Sequence, residues 1–556
     1  MARERQTAGP GRSGGRAVRA DREHERERER ERVVVVGAGV GGLAAAIDLA
    51  RQGVEVVVLE RGPSVGGKLH EVRVDGRAID SGPTVFTLRR VFDALFDAAG
   101  ASLDDHLRLA PLDLLARHAW TGSDALDLHA DVARSADAIG RFAGAVEARR
   151  FLAFAARAAS VFRTLDAPFM QAERPTPFGL AARVGWRGLP DLARISPFAT
   201  LAGTLATAFE DRRLAQLFGR YATYVGSSPY AAPATLMLVA HVEQQGVWRV
   251  EGGMQRLAEA LAALARRLGA TVRTGAHVRE IVVRDGRAAG VRLAGPDAAN
   301  AVAAEPAETI AASAVVFAGD VAALGAGLLG PTATGAAEPV APADRSLSAL
   351  TWSAVGGVRG FDLAHHTVFF SEDGEHEFAD LFSRRRLPAD PTVYVCAADR
   401  GPGDAPADAD GERLFVLVNA PADADRAPLG SQEIDRCRSQ AMQTLARAGA
   451  HLDLRPERTV ATTPSDFARR FPGSAGALYG RATHGWAATF RRPGSRSRLP
   501  GLYLAGGTVH PGAGLPMAAL SGRLAAASLM EDRPARAHAS TPMSPPAATR
   551  GGTSTR

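Results

Sequence analysis

Three glycines near the amino end of the sequence have the spacing of a dinucleotide-binding turn. Gly37, Gly39 and Gly42 directly follow the valine run Val33–Val36 and precede an apolar, alanine-rich segment, 43–51. In such a turn the first glycine permits a tight bend, the second lets the backbone approach a pyrophosphate, and the third lets helix and strand pack closely. The amino terminus of the helix then faces the phosphates. The chemistry indicated is nucleotide binding.

An acid and an unusual lysine follow the glycines at distances that suit the same nucleotide. Glu60 ends a second strand-like run, 54–59, about 20 residues beyond the glycines, where a carboxylate accepts hydrogen bonds from ribose hydroxyls. An acid there favours FAD or NAD over NADP. Lys68, preceded by Gly66 and Gly67, is the only lysine among the 66 basic residues. We interpret it as a compact cation beside the cofactor; its chance survival in an arginine-biased chain is the alternative.

Two loops of small residues add further candidate cofactor contacts. In the first, Gly82-Pro83-Thr84, a turn with a proline-fixed backbone can pass close to a flat ligand. The second is a glycine-rich loop that leads from a predicted strand into a predicted helix, whose free N–H groups would stabilise negative charge on a reduced cofactor. Its candidate contacts are Gly507, Gly514, Leu515, Pro516 and Met517.

Aromatic residues in the middle of the chain are candidates for substrate contact. Tyr221, Tyr224 and Tyr230 supply three of the six tyrosines. The cluster fits either the end of a core helix or the wall of an apolar channel. Trp248, in a glycine-flanked segment, is assigned to the substrate as well.

The elements that must position these residues alternate between strand and helix at both ends of the chain. Strand patterns at 33–36, 54–59, 270–273 and 314–317 predict a parallel sheet of the α/β class. The segments 96–244 and 331–494 do not show this alternation of strand and helix. We therefore predict a discontinuous Rossmann-like domain that binds FAD or NAD, with a mixed α+β substrate domain that includes a helical cap. The predicted division is a disordered tail over 1–32, the cofactor domain over 33–95, 245–330 and 495–530, the substrate domain over 96–244 and 331–494, and a second disordered tail over 531–556.

Charge and cysteine content exclude several function classes. The formal net charge of +6 lies mostly in the tails, because residues 1–32 hold ten arginines against seven acids and residues 531–556 hold four against two. The chain between the tails is nearly neutral and has no cluster of basic residues of the kind that binds nucleic acid. Cys396 and Cys437 form no motif, and the pair His365-His366 with His376 matches no ligand spacing, so we expect neither disulfide nor metal.

Taken together, the cofactor motifs resemble the bacterial carotenoid desaturases, the phytoene desaturase family of flavoproteins. The resemblance rests on the glycine turn, Glu60, Lys68 and the segment 80–84, and it returns in the closing segment 502–522. It covers about 33–530 and leaves both tails outside.

This resemblance implies a function and a cofactor. FAD would be bound, with Val278 contacting the adenine through its backbone, and a carotenoid would be desaturated. Segments 82–85, 218–226 and 246–253 are most similar to the branch that desaturates 1-hydroxycarotenoids at C-3,4, although they separate the branches only loosely. A phytoene desaturase, an amine oxidase-like flavoenzyme, a carotenoid isomerase and a flavin-free lipid carrier are the alternatives. The intact glycine loops argue against the carrier.

The catalytic base and the electron acceptor stay open. His510 is a candidate base by its chemistry, but a histidine beside proline is more often a packing residue. The acceptor is either oxygen or a quinone. Because the substrate dissolves in bilayers, we expect a cytoplasmic protein associated peripherally with the inner face of the cell membrane. The apolar and basic segment 178–198, with Trp186 flanked by Arg183 and Arg187, is the predicted contact.

Overall fold

A five-stranded parallel sheet carries the amino-terminal glycine turn. The structure, a computed structural model, describes residues 32–122, 125–295, 308–401 and 410–533, so the predicted tails fall almost wholly outside the described residues. Every residue of the first strand, Val33–Val36, is buried, as expected for a strand with parallel neighbours on both sides. The strand order is Thr271–Arg273, Val56–Leu59, Val33–Val36, Ala314–Phe317 and Leu502–Leu504.

The first helix begins earlier than the sequence pattern indicated. It spans Val40–Ala50, so Gly41 and Gly42 lie inside it rather than before it. It packs against the closing helix, Leu515–Asp532, without intervening side chains. A Cβ on Gly522 of the closing helix would lie 2.0 Å from the carbonyl oxygen of Gly41. The two ends of the described chain are therefore in backbone contact beside the glycine turn.

A seven-stranded sheet forms the second large layer. It combines strands from both segments of the predicted substrate domain, and its interior includes Trp352, which is 1% exposed. Two of its strands lie between residues 114 and 129, where the sequence analysis expected helical cap. That expectation was wrong there, because runs of five or six residues are too short for their periodicity to distinguish strand from helix. The order is Thr459–Thr462, Ser348–Gly356, Glu412–Ala420, Val393–Ala397, His366–Phe369, Leu114–Ala119 and Ala125–His129.

The helical region proper begins at Val132. The alanine-rich segment 136–162, whose composition predicts one helix, is divided between two helices, Val132–Ala143 and Ala145–Leu165, because Gly144 at φ +96° interrupts the helical backbone. A third, Pro177–Arg194, is kinked at Gly185. The other α-helices are Arg89–Ala98, Leu201–Ala208, Arg212–Gly219, Leu238–Gln244, Gln255–Arg267, Ala322–Gly325, Gly374–Phe382, Ser431–Arg447, Pro464–Arg470 and Ala488–Arg491.

Smaller sheets complete the described fold, and of the helices in the described ranges none combines the length and apolar composition that crossing a bilayer requires. The antiparallel sheets are Val278–Arg284 with Arg287–Leu293 and Thr309–Ala311, Phe86–Thr87 with Val247–Val250 and Leu109–Pro111, Glu71–Val74 with Arg77–Asp80, and Val358–Arg359 with His451–Leu452. Short 3₁₀ turns lie at Leu103–Asp105, Arg220–Val225, Ala234–Met237, Pro331–Ala336, Pro342–Asp344 and Pro456–Arg458, and a π turn at Asp166–Met170.

Candidate active site

One cavity of about 650 Å³ joins the glycine turn, the two small-residue loops and the helical region. It therefore collects most of the residues that the sequence analysis singled out, although they come from distant parts of the chain. The predicted cofactor contacts that line it are Gly37, Gly39, Glu60, Gly67, Lys68, Gly82, Pro83, Thr84, Val278, Gly507, Gly514, Leu515, Pro516 and Met517.

The glycine turn forms a cradle that a dinucleotide fits. Gly37 adopts φ +104°, a conformation that favours glycine, and Gly39 is the N-cap of the first helix without any side-chain cap. The helix therefore presents free backbone N–H groups to the cavity. Glu60 is fixed in place because its carboxylate accepts from the N–H groups of Ala38 at 2.8 Å and Gly62 at 2.7 Å. These features suit a pyrophosphate and an adjacent ribose.

A second helix amino terminus faces the same cavity. Gly514, at φ +110°, is the N-cap of the closing helix and lacks a side-chain cap. The loop before it contacts the first helix, since a Cβ on Gly41 would lie 2.7 Å from the backbone nitrogen of Gly506. Ser521 secures this loop by accepting from the Gly506 N–H at 2.7 Å. Two helix termini thus converge, and both favour negative charge.

Lys68 is half-buried in the cavity wall. Its ammonium donates to the carbonyl of Leu478 and lies 5.3 Å from the ring centroid of Phe471. Burial lowers the pKa of Lys68, and the Asp320 carboxylate opposes that shift. Burial raises the pKa of Asp320, whose Oδ1 accepts from the Ala322 N–H at 3.0 Å. The lone lysine therefore lies near a carboxyl group and beside the predicted cofactor contacts.

Arg492 is a second buried cation that lines the cavity. Its guanidinium donates to the carbonyls of Tyr479 at 3.0 Å, Arg481 at 2.9 Å and Gly507 at 3.3 Å. Burial lowers its pKa to about 10. Arg492 therefore ties the closing loop to the segment around Tyr479, from which Leu478 reaches Lys68.

The loop 81–84 is held close to Lys68. A Cβ on Gly82 would lie 1.9 Å from the Lys68 carbonyl oxygen, so only glycine fits there. Beyond it, Thr84 Oγ1 lies 2.6 Å from the Tyr394 hydroxyl, which lies 2.7 Å from Nδ1 of His366. Burial holds the pKa of His366 well below its ordinary value, so the imidazole is neutral at neutral pH. This hydrogen-bonded chain runs from the loop to the seven-stranded sheet.

Asp80, just before this loop, predicts a pH dependence of stability. Its carboxylate accepts from the Met254 N–H at 2.8 Å, yet burial raises its pKa from 3.8 to about 6. The folded state therefore holds the proton more tightly, and this stabilising contribution is lost as the pH rises from about 4 through 6. We expect Asp80→Asn to remove a decline of roughly 3 kcal/mol in the free energy of unfolding between pH 4 and pH 8.

Urea unfolding at several pH values measures this difference. Asp75→Asn, in the turn of the same hairpin, is the matched control, because the Asp75 side chain is 56% exposed. Parallel pH curves for wild type and Asp80→Asn would contradict the prediction.

The far part of the cavity wall is mostly apolar. Tyr221 and Tyr224 line it, as predicted, and both hydroxyls donate to the buried carboxyl group of Glu243, at 2.6 Å and 2.5 Å. Glu243 and Arg220 contribute a carboxyl group and a guanidinium to this mostly apolar lining. The apolar lining includes Leu165, Phe169, Met170, Leu217, Leu236, Leu238, Val239 and Val242.

Comparison with known proteins identifies the family. The profile of the flavin containing amine oxidoreductases matches residues 40–530. The chain is 51% identical over 492 residues to a hydroxyneurosporene desaturase of Rubrivivax gelatinosus, covering 88% of this chain and 91% of the relative. It is 45% identical over 500 residues to a hydroxyneurosporene desaturase of Cereibacter sphaeroides, covering 89% and 97%. The chain belongs to the carotenoid desaturase family of flavoproteins.

The fold agrees with this family membership. A solved oxidoreductase from Methanosarcina mazei has a TM-score of 0.55 at 15% identity, over 90% of this chain and 100% of that chain. The predicted α/β fold class, the oxidoreductase class and FAD as the cofactor of this desaturase family member are confirmed. The individual site residues and the domain boundaries stay predictions.

Four sequence-derived candidates lie outside the cavity lining of this family member, namely Trp248, Gly42, Tyr230 and His510. Trp248 is absent from the lining and packs edge-on against Phe86, with ring centroids 6.3 Å apart, whereas Val247 lines the cavity. Adjacent residues of a strand point to opposite faces, so the sequence analysis assigned the substrate contact to the face that points away from the cavity. Gly42 packs the first helix against Gly37 rather than lining the cavity, which is the packing role expected of a third glycine.

His510 is a packing residue by its contacts. Its Nε2 lies 2.9 Å from the Phe169 carbonyl and 3.0 Å from the Ala172 carbonyl, so it carries the proton and donates. Burial lowers its pKa to about 4. It does not line the cavity, and we assign it no part in proton transfer.

Several cavity residues gave no sequence signal. Arg492 is one arginine among many, and no motif surrounds Glu243. Asp320 could have been selected, because it follows a predicted buried strand. His366 was considered with His376, but the structure instead groups it with His365 and Cys396, whose ligand atoms lie within 4.8 Å of one another. Nδ1 of His365 is already bonded to the Arg400 carbonyl at 2.8 Å.

Proposed function

We propose that this protein is an FAD-dependent desaturase of a long polyene, specifically of 1-hydroxycarotenoids at C-3,4. The observation that carries the proposal is the single cavity, which is cationic and glycine-rich at one end and apolar at the other. The names of the hydroxyneurosporene desaturases support the choice of substrate. The fit of the cofactor end to a dinucleotide supports the choice of FAD.

Residues at the two ends of the cavity have different roles in such a reaction. A C–C single bond of a hydrocarbon has no carbonyl to acidify it, so desaturation needs a hydride acceptor, which FAD supplies when bound. Lys68 and the two helix termini stabilise negative charge at that end of the cavity. The loops 81–84 and 508–517 would hold the ring system, and the apolar wall would orient the polyene and exclude water.

The test uses FAD-loaded protein in liposomes with 1-hydroxyneurosporene and, separately, phytoene. Each added conjugated double bond shifts the polyene absorption to longer wavelength, so spectra of the extracted products report desaturation. A red shift with the hydroxylated polyene alone is expected. A shift with phytoene would move the protein to an earlier step, and no shift with either would contradict a desaturase.

We also propose that the protein docks on a membrane surface through an exposed aromatic patch, defined as Phe178, Trp186, Leu189, Phe198 and Trp486. Their exposed fractions are 88%, 77%, 48%, 76% and 47%. Large apolar side chains so exposed are typical of interaction surfaces. Basic residues accompany them, as anionic lipid requires, and the Arg187 guanidinium lies 5.0 Å from the Trp186 ring centroid.

The exposed aromatic patch is continuous with the cavity through ring contacts. Phe198 lies 5.5 Å from Trp486, which lies 6.5 Å from Phe490, and Phe490 lies 5.9 Å from Phe169 between ring centroids. Phe169 lines the cavity. These contacts connect the exposed aromatic patch to the apolar end of the cavity.

We expect Trp186→Glu to reduce binding to anionic liposomes by about tenfold or more, since it replaces a large apolar contact with a charge that the lipid repels. Co-sedimentation measures the bound fraction. Val460→Glu is the matched control, because Val460 is 40% exposed but lies outside the patch. Equal binding by both variants would count against the patch.

A further inference from the structure

A buried carboxyl group interrupts the apolar wall of the cavity. Glu243 is 7% exposed and lines the cavity together with Val239 and Val242 of the same helix. Burial raises its pKa. A carboxyl group in such surroundings costs several kcal/mol unless it has hydrogen-bonding partners. A pure hydrocarbon would gain nothing from its presence, so the position indicates a polar atom on the ligand.

The hydrogen bonds of this carboxyl group restrict what that atom can be. Each phenol, Tyr221 and Tyr224, gives its single proton to one carboxyl oxygen of Glu243. The carboxyl and phenol oxygens keep free lone pairs, so the group is rich in acceptors. A hydroxyl group on the ligand can hydrogen-bond to Glu243 whether that carboxyl group is ionised or protonated, because a hydroxyl both donates and accepts.

An ammonium group is a poorer match. The buried Arg220 guanidinium lines the same cavity and is close enough to Tyr224 to affect its pKa, which burial and Glu243 raise. A second cation there would be repelled by Arg220. A neutral alcohol meets no such cost.

The position of the tyrosines also suits an alcohol near the reacting carbons. Burial is the main cause that raises the pKa of Tyr394, and the nearby Tyr224 phenol adds to it. Tyr394 is itself hydrogen-bonded to Thr84 of the predicted flavin loop. Glu243 and its tyrosines thus line the same cavity as Tyr394 and Thr84.

We propose that Glu243, with Tyr221 and Tyr224, binds the hydroxyl group of a polyene alcohol and selects hydroxylated polyenes over the matching hydrocarbons. This inference rests on the desaturase function proposed above. Glu243 acts here as a specificity-determining residue, since the hydrocarbon would leave its acceptors without the ligand proton.

The test compares two substrates within each variant. FAD-loaded wild type, Glu243→Gln and Tyr224→Phe receive a 1-hydroxylated polyene and the same polyene without the hydroxyl group, and the ratio of the two kcat/KM values is measured. This ratio does not depend on the fraction of folded enzyme. Quenching of tryptophan fluorescence by each polyene gives the ratio of Kd values independently of turnover.

The matched control is Glu377→Gln. Glu377 is also buried and accepts from two hydroxyls, Thr392 at 2.6 Å and Ser371 at 3.0 Å, but it does not line the cavity. We expect wild type and Glu377→Gln to prefer the hydroxylated polyene, and both cavity variants to lower that preference by about tenfold, equivalent to one lost hydrogen bond of about 1.4 kcal/mol.

The outcomes separate this inference from the function on which it rests. A preference unchanged in Glu243→Gln and Tyr224→Phe overturns the hydroxyl site while leaving the desaturase proposal intact. A wild type that neither binds nor converts either polyene overturns both.

Discussion

Gly42→Ala is expected to yield a protein that does not retain flavin. The added Cβ would lie 2.1 Å from the Gly37 carbonyl oxygen and 3.0 Å from the Ala318 Cβ. Neither atom belongs to a flexible side chain, so the glycine turn must open to relieve the clash. We expect the Kd for FAD to rise at least about 100-fold, roughly 3 kcal/mol, with a further cost in folding stability. Flavin absorption of the purified protein and titration calorimetry measure both.

The control replaces another helical glycine. Gly140, in the helix Val132–Ala143, would place its Cβ 3.6 Å from the Ala148 Cβ, an ordinary contact. Gly140→Ala should raise the free energy of unfolding by about 0.5–1 kcal/mol and keep the flavin. A Gly42→Ala protein with the full flavin content of wild type would show that the turn tolerates opening.

Arg492→Met is expected to destabilise the fold by roughly 3 kcal/mol or more. Three partly buried backbone carbonyls, those of Tyr479, Arg481 and Gly507, lose their charged donor, and each such loss costs about 1–3 kcal/mol. Because Gly507 belongs to the closing loop, flavin affinity should fall as well. Urea unfolding with and without added FAD measures the two effects.

The neighbouring arginine provides the comparison. Arg491 is exposed, whereas Arg492 is 3% exposed. Arg491→Met should change the free energy of unfolding by less than about 0.5 kcal/mol. Equal losses in the two variants would mean that the buried carbonyls are not what Arg492 stabilises.

The cofactor end of the site was predictable because its chemistry is local in sequence. The strand Val33–Val36, the glycines and the first helix follow one another directly, and Glu60 ends the next strand. Backbone conformation and residue type agree over this short span, so the pattern alone indicates the fold and the ligand. The same holds for the glycine-rich loop before the closing helix.

The substrate end was less predictable because its contacts join distant residues. Nothing near Glu243 in sequence shows that its carboxyl group accepts from Tyr221 and Tyr224, and the partners of Arg492 are carbonyls, which every residue carries. Trp248 failed for a different reason, since its strand is too short for alternation to reveal which face is buried. Likewise, Gly144 separates two helices in a segment whose composition predicts one continuous helix.

The contact between the helices Val40–Ala50 and Leu515–Asp532 bears on how the chain matures. While the ribosome is still translating the substrate segments, the face of the first helix around Gly41 has no partner, and the loop that forms half of the cofactor cradle has not been made. We therefore expect the nascent chain to bind flavin only weakly before the last strand and helix are made. On this view, FAD joins a fold whose two ends have already come together.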